Sequence, residues 1–184
     1  MKAKYRFYVW VFMLWGGAAA GIYFDLKFFR QIFFSLPYHA ISLVTGILLL
    51  RLVIRISRNT GRTLARYGRK GEVPALETNV LVSEGPYRYM RHPMHLGLLF
   101  FPLSIALITG SPTFSFIIAP LEMLIMLWMI YLVEEPEVRR KFGKQYDMYA
   151  RGKPWFCLKP ECLKVLLKDV PPLQEKGKKV KGCF

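Results

Sequence analysis

Residues 91–135 read RHPMHLGLLFFPLSIALITGSPTFSFIIAPLEMLIMLWMIYLVEE, an almost unbroken apolar run from Leu96 to Val133 held between Arg91-His92-Pro93-Met94-His95 and Glu134-Glu135. Gly110-Ser111-Pro112 is a turn signal near its middle, so the run predicts a helical hairpin of bilayer dimensions. A hairpin returns its two ends to one membrane face, which brings the histidines and the carboxylates together. A site is expected at that face.

Two further apolar spans precede the hairpin. The first, about Phe7 to Phe24, carries the small run Gly16-Gly17-Ala18-Ala19-Ala20-Gly21, which permits close approach of another helix. Lys2, Lys4 and Arg6, with Ala18-Ala19-Ala20, also fit the outline of a cleaved signal peptide, but the core is long and aromatic for that role. The second span, about Leu36 to Ile56, ends with Arg51 and Arg55, four apart on one helix face, where snorkelling to the interface is the simplest role. The hairpin supplies spans from about Met94 to Thr109 and Thr113 to Val133; at ~1.5 Å per residue the former reaches only ~24 Å and is short. Glu122, inside the last span, is expected to face a neighbouring helix or Arg51, because an unpaired carboxylate in the membrane is costly.

Composition supports a membrane protein, since the chain is 53% hydrophobic and 15% aromatic yet carries a formal charge of +15. Its 184 residues accommodate four spans but no separate soluble catalytic domain. Lys and Arg number three before the first span, two between the first two, seven over 57–93, none at the Gly110 turn and thirteen after Val133. The positive-inside rule therefore puts both termini, the 57–93 loop and the site on the cytoplasmic side. The expected fold is all-α: a polytopic membrane protein with about four transmembrane helices plus a cytoplasmic C-terminal amphipathic helix. It forms a single integral-membrane domain over 1–184, with two spans in 1–56, a cytoplasmic loop in 57–93, the hairpin in 94–133 and a cytoplasmic cap and basic tail in 134–184.

The basic residues flank spans rather than form one stripe, which suits anionic lipid headgroups and argues against nucleic acid as a partner. Cys157, Cys162 and Cys183 are odd in number and fall on the cytoplasmic side, so no disulfide framework is expected. The four-residue gap between Cys157 and Cys162 is a loose match to a zinc set with His92 and His95, and no metal is expected. Cys183 lies second from the end and makes no prenylation box.

At the hairpin mouth, Val80-Leu81-Val82 reads as a strand-like or extended lead-in, followed by a Gly85-Pro86 turn and the aromatic-basic run Tyr87-Arg88-Tyr89-Met90-Arg91. Pro93 suits the first helical position and drives His92 out of the helical region, so His92 projects at the mouth, where free N–H groups suit a carboxylate or phosphate. Pro136 can open a new helix in which Val138, Phe142, Tyr146 and Tyr149 oppose Arg139, Arg140, Lys141 and Lys144, as in an amphipathic helix on the membrane or over a site. Taken singly, each residue has a plain reading: Glu134-Glu135 as a solvated helix end, the histidines, Tyr87 and Tyr89 as interface markers. Their convergence on one face makes them a candidate site.

The pattern Gly85-x-Tyr87-x-x-x-Arg91-His92-Pro93-x-x-x-Gly97, then Glu134-Glu135 and Phe142-Gly143-x-x-Tyr146-x-x-Tyr149, resembles the integral-membrane methyltransferases that include isoprenylcysteine carboxyl methyltransferase and phosphatidylethanolamine N-methyltransferase. The resemblance covers about Leu81 to Pro160. It implies S-adenosyl-L-methionine bound from the cytoplasmic side, with 57–93 as cofactor loop and the C-terminal helix closing the pocket, and a lipid or lipidated substrate arriving from the bilayer. Carried over by position, Leu81, Val82, Tyr87, His92, Pro93, Met94 and His95 line the cofactor site and Glu134 holds its polar part. His95 and Glu135 are the catalytic candidates, with His92 a further possible base, and Arg51, Arg55 and Arg91 are the substrate candidates.

Two departures matter. The family commonly has tyrosine where this chain has His95, and the isoprenylcysteine enzymes place an arginine one helical turn before the carboxylate pair, where this chain has Ile130. Glu134-Glu135-Pro136 and Ser111-Pro112-Thr113 instead look like the phospholipid amine enzymes. A carboxylate acceptor needs only alignment and exclusion of water, whereas a protonated amine must first lose a proton to a base. Two rival classes are a nicotinamide-dependent membrane reductase of the sterol type, which usually carries more spans, and a non-catalytic four-span protein, in which changing Glu134 or His92 alters only stability.

Overall fold

The computed structural model describes residues 3–73 and 78–170, with side chains from Tyr8 onward, and within them every regular element is a helix. In order these are α1 (Ala3–Phe28), the short α2 (Arg30–Phe33), α3 (Leu36–Tyr67), a 3₁₀ turn (Gly85–Arg88), α4 (Pro93–Leu99), α5 (Phe101–Thr109), α6 (Ala119–Met129), α7 (Glu135–Phe142), α8 (Lys144–Ala150) and α9 (Pro160–Leu167). Tyr8–Phe28, Leu36–Tyr67 and Phe114–Phe142 are long and apolar enough to cross a membrane, and Pro93–Thr109 is a shorter apolar helix. The bundle is apolar outside as well as inside: Phe12, Trp15, Ile41, Phe116 and Trp128 are each at least 70% exposed. That surface suits lipid rather than water.

The hairpin folds as expected. Gly110 adopts the left-handed conformation (φ 65°) that ends α5, and a Cβ there would collide with the His39 ring, so only glycine fits under it. Pro102 cannot donate to the Leu98 carbonyl, which accounts for the break between α4 and α5 at Phe100. From Phe114 to Phe142 the chain is continuously helical, with wide π-type turns at Phe114–Ile118 and Ile130–Glu134, each next to a proline, Pro120 or Pro136, that lacks an N–H for the regular ladder. Pro136 therefore continues the helix rather than opening a separate one.

The small run of α1 does admit a neighbour. A Cβ on Gly17 would lie 2.5 Å from Glu122 Oε1 and 3.0 Å from Ile118, which places Glu122 against α1 and not against Arg51. At the turn end, Asp25 is fully buried within α1. It accepts the Thr113 N–H at 2.8 Å and the Ser111 hydroxyl, and so caps the returning helix from across the bundle.

Three expectations are corrected. Helix α3 continues eleven residues beyond Ile56; in that stretch the Thr60 and Thr63 hydroxyls are satisfied by the Ile56 and Asn59 carbonyls (2.8 and 2.9 Å), and buried Asn59 donates to the Leu166 carbonyl at 3.1 Å, which packs the stretch against α9. The loop thus begins at Gly68, and within it Val80 lies at a bend and Leu81-Val82 in no regular element, with no strand among the described residues. Cys157 and Cys162 form a disulfide, their Cα atoms 5.9 Å apart, packed with Ile56, Met90, Leu96 and Leu166 in the core beneath α9. Cys183 lies outside the described residues.

Candidate active site

His92, the residue before Pro93, stays outside α4 at φ −122° and ψ 56°. Its Nε2–H donates to Glu135 Oε1 at 2.7 Å. Arg91 Nη1 donates to both oxygens of the same carboxylate at 3.0 and 3.1 Å, and the Tyr146 hydroxyl donates to Oε1 at 2.8 Å. Both ends of the hairpin therefore meet, and α8 is tied to them. Behind this cluster the backbone N–H groups of Arg91 and His92 donate to the Pro154 and Trp155 carbonyls at 3.0 and 3.1 Å, and the Arg91 guanidinium sits 5.6 Å from the Trp155 ring centre.

Successive helical residues point ~100° apart, so Glu134 faces a different way from Glu135. Its Oε1 lies 3.9 Å from His95 Nε2, at the wall of a cleft of about 210 Å³. Leu81, Val82, Tyr87, His92, Met94, His95 and Glu134 all line this cleft, with Leu64 and Thr78 on one side and Val138, Phe142, Tyr146 and Tyr149 on another. Pro93 is buried behind it and fixes the start of α4 without lining the cleft.

The other expected residues lie elsewhere. Glu135 is outside the cleft lining, engaged by its three donors, and Arg91 lines the cleft while held by Glu135. Arg51 and Arg55 lie ~140° and ~180° around α3 from Leu64, the residue that α3 contributes to the cleft, and line a separate groove. The zinc arrangement has no free thiols at Cys157 and Cys162, which bond to each other.

Burial keeps the phenols of the cleft protonated. It pushes Tyr149 up to about 12 and raises Tyr87 and Tyr146, the latter also through its bond to Glu135. Tyr149 uses its proton on the Tyr87 carbonyl at 2.6 Å, with the Met90 carbonyl 3.2 Å away. Lys153 Nζ lies 3.8 Å from the Tyr149 ring centre, its ammonium disfavoured first by burial and then by Arg88. Tyr146 and Tyr149 were legible as part of an apolar helix face; their role as clamps on the Tyr87–His92 segment was not, and the signal for it was their place in the Phe142-Gly143-x-x-Tyr146-x-x-Tyr149 pattern. Trp155 carried no such signal.

The geometry is that of a lipid-facing helical bundle with a polar cluster and a cleft at the mouth of a helical hairpin. Residues 41–145, more than half of the chain, match the family model described as phospholipid methyltransferase, and the chain belongs to that family. The match takes in most of α3, the loop, the whole hairpin with Glu134 and Glu135, and α7. It is thus an integral-membrane methyltransferase by family. No curated protein and no solved structure matches the chain.

Proposed function

We propose that this protein methylates a headgroup nitrogen of a membrane phospholipid, with S-adenosyl-L-methionine bound in the cleft on the cytoplasmic side. The observation that carries the proposal is the make-up of the cleft: a single carboxylate, Glu134, beside His95, with Arg91 and His92 near it and a largely apolar and aromatic remainder, at the mouth of a lipid-facing hairpin. This set fits the cofactor, because Glu134 can meet its cationic end while Leu81, Val82, Val138 and Phe142 offer an apolar bed for its adenine.

When bound, S-adenosyl-L-methionine supplies an electrophilic methyl group on positively charged sulfur. Glu134 provides the countercharge. His95 Nε2 takes the proton that a headgroup ammonium must lose before its nitrogen becomes a nucleophile. The apolar walls exclude water while the positive charge carried by the cofactor's sulfur would pass to the headgroup nitrogen. Glu135 acts as a positioning residue, holding Arg91, His92 and Tyr146, and Arg91, whose Nε has no partner among the described residues, contacts the headgroup phosphate. An amine acceptor is favoured over a carboxylate by Ile130, which is 1% exposed between Leu99 and Met126 and leaves no cation at that position.

The test is calorimetric titration of the detergent-purified protein with S-adenosylhomocysteine, alongside NADPH and a Glu134→Ala variant. Wild type should bind S-adenosylhomocysteine alone, and the variant should bind it about 10- to 100-fold more weakly, the worth of one charged hydrogen bond. Binding of NADPH, or of neither ligand to folded protein, would overturn the proposal. A positive result leads to methyl transfer assays on phosphatidylethanolamine vesicles.

A further inference from the structure

Because α3 runs on to Tyr67, four arginines that straddle the expected end of the span share one helix: Arg51, Arg55, Arg58 and Arg62. At ~100° per residue they fall within ~60° of one another, a single stripe on the side of α3 away from the cleft. With Asn59 and with Asp169 and Val170 beyond α9, they line a groove of about 740 Å³.

The fold neutralises little of this charge. Arg55 Nη2 pairs with Asp169 Oδ2 at 3.1 Å, both side chains more than half exposed, and Arg62 Nη1 donates to the Val170 carbonyl at 2.8 Å. Arg51 and Arg58 have no hydrogen-bond or ion-pair partner among the described residues. Measured along the helix from Leu36, Arg51 lies ~22 Å and Arg62 ~39 Å away, either side of the ~30 Å hydrocarbon thickness. Leu48, Leu52 and Ile54, beside the lower end of the stripe, are exposed apolar side chains that suit lipid tails.

We propose that this groove binds the phosphate of an anionic bilayer phospholipid, at a site separate from the methyl-transfer cleft. Planar guanidinium groups match phosphate oxygens in pairs, and four of them face one carboxylate. The apolar surface directly beneath selects a ligand that carries tails, not a soluble anion. The inference rests on the membrane setting of α3 and not on the identity of the methyl acceptor.

The experiment uses the full chain in nanodiscs of phosphatidylcholine doped with phosphatidylglycerol, and reads retained lipid by native mass spectrometry. Wild type should retain phosphatidylglycerol over phosphatidylcholine. The Arg51→Gln/Arg58→Gln double variant should hold it roughly thirtyfold more weakly, about fivefold per arginine. Arg51→Lys/Arg58→Lys should keep part of the affinity, and both variants should unfold close to the wild-type temperature because neither residue has a partner among the described residues. Equal retention of the two lipids, unchanged retention in the double glutamine variant, or displacement by inorganic phosphate as effective as displacement by phosphatidylglycerol would each overturn the proposal.

Discussion

Glu135 accepts hydrogen bonds from three side chains on two segments: Arg91 and His92 before α4, and Tyr146 in α8. Removing the acceptor leaves buried donors and a buried cation uncompensated, so Glu135→Ala should cost about 3–5 kcal/mol. Glu135→Gln, which keeps an acceptor oxygen, should cost less, and denaturant unfolding in detergent compares the two. His92 adds a pH dependence. Burial holds its imidazole below the ordinary value, against the opposing pull of Glu135. Below pH ~6.5 the unfolded chain gains a proton that folded His92 resists, so the stability from neutral His92 is complete above that pH and is lost as pH falls towards the folded value. The thermal midpoint should therefore drop on acidification from about pH 7.5 to 5.5, and His92→Gln should flatten that drop. Pairing histidines with carboxylates was readable from the two ends of one apolar run. Glu134 was placed on the cofactor side by the family pattern; that Glu135, expected as a catalytic candidate, lies outside the cleft lining was not legible, because it depends on the local winding of the wide turn at Ile130–Glu134.

Helix α1 meets the hairpin across glycine. Gly17→Val would drive side-chain atoms into Glu122 and Ile118 and should destabilise by about 1–3 kcal/mol, whereas Gly16→Ala, with nothing within 4 Å of its Cβ, should be neutral or slightly stabilising. Thermal unfolding of the two neighbours in the same detergent isolates the packing effect from helix propensity. The close approach was legible in the run of small residues, and the hairpin in its Gly110-Ser111-Pro112 turn. The end of α3 was hidden because hydropathy stops at Ile56, while the stretch beyond it is buried through polar residues: Asn59 tied to α9, and Thr60 and Thr63 with hydroxyls satisfied on the helix's own carbonyls. Asp25 was hidden for the same reason, since its partners lie 86 and 88 residues away along the chain.

The cleft is a property of the whole molecule, since its walls come from α3, the loop, α4, α7 and α8. Tyr149→Phe removes the hydroxyl that ties α8 to the Tyr87 carbonyl and should cost about 1 kcal/mol and weaken S-adenosylhomocysteine binding severalfold, by titration. The return of the C-terminal segment was the least legible feature: the cysteines read as reduced from their side of the membrane, yet the turn before α9 brings them together, and nothing local marks Trp155 as the backing of Arg91 and His92. That return also sets an order of assembly. Chains emerge from the ribosome N-terminus first, so the hairpin can be inserted while Arg91, His92 and Glu135 have only one another. Tyr146, Tyr149 and the carbonyls of Pro154 and Trp155 arrive later. A nascent chain stalled before Tyr146 would already be a membrane protein and not yet a methyltransferase.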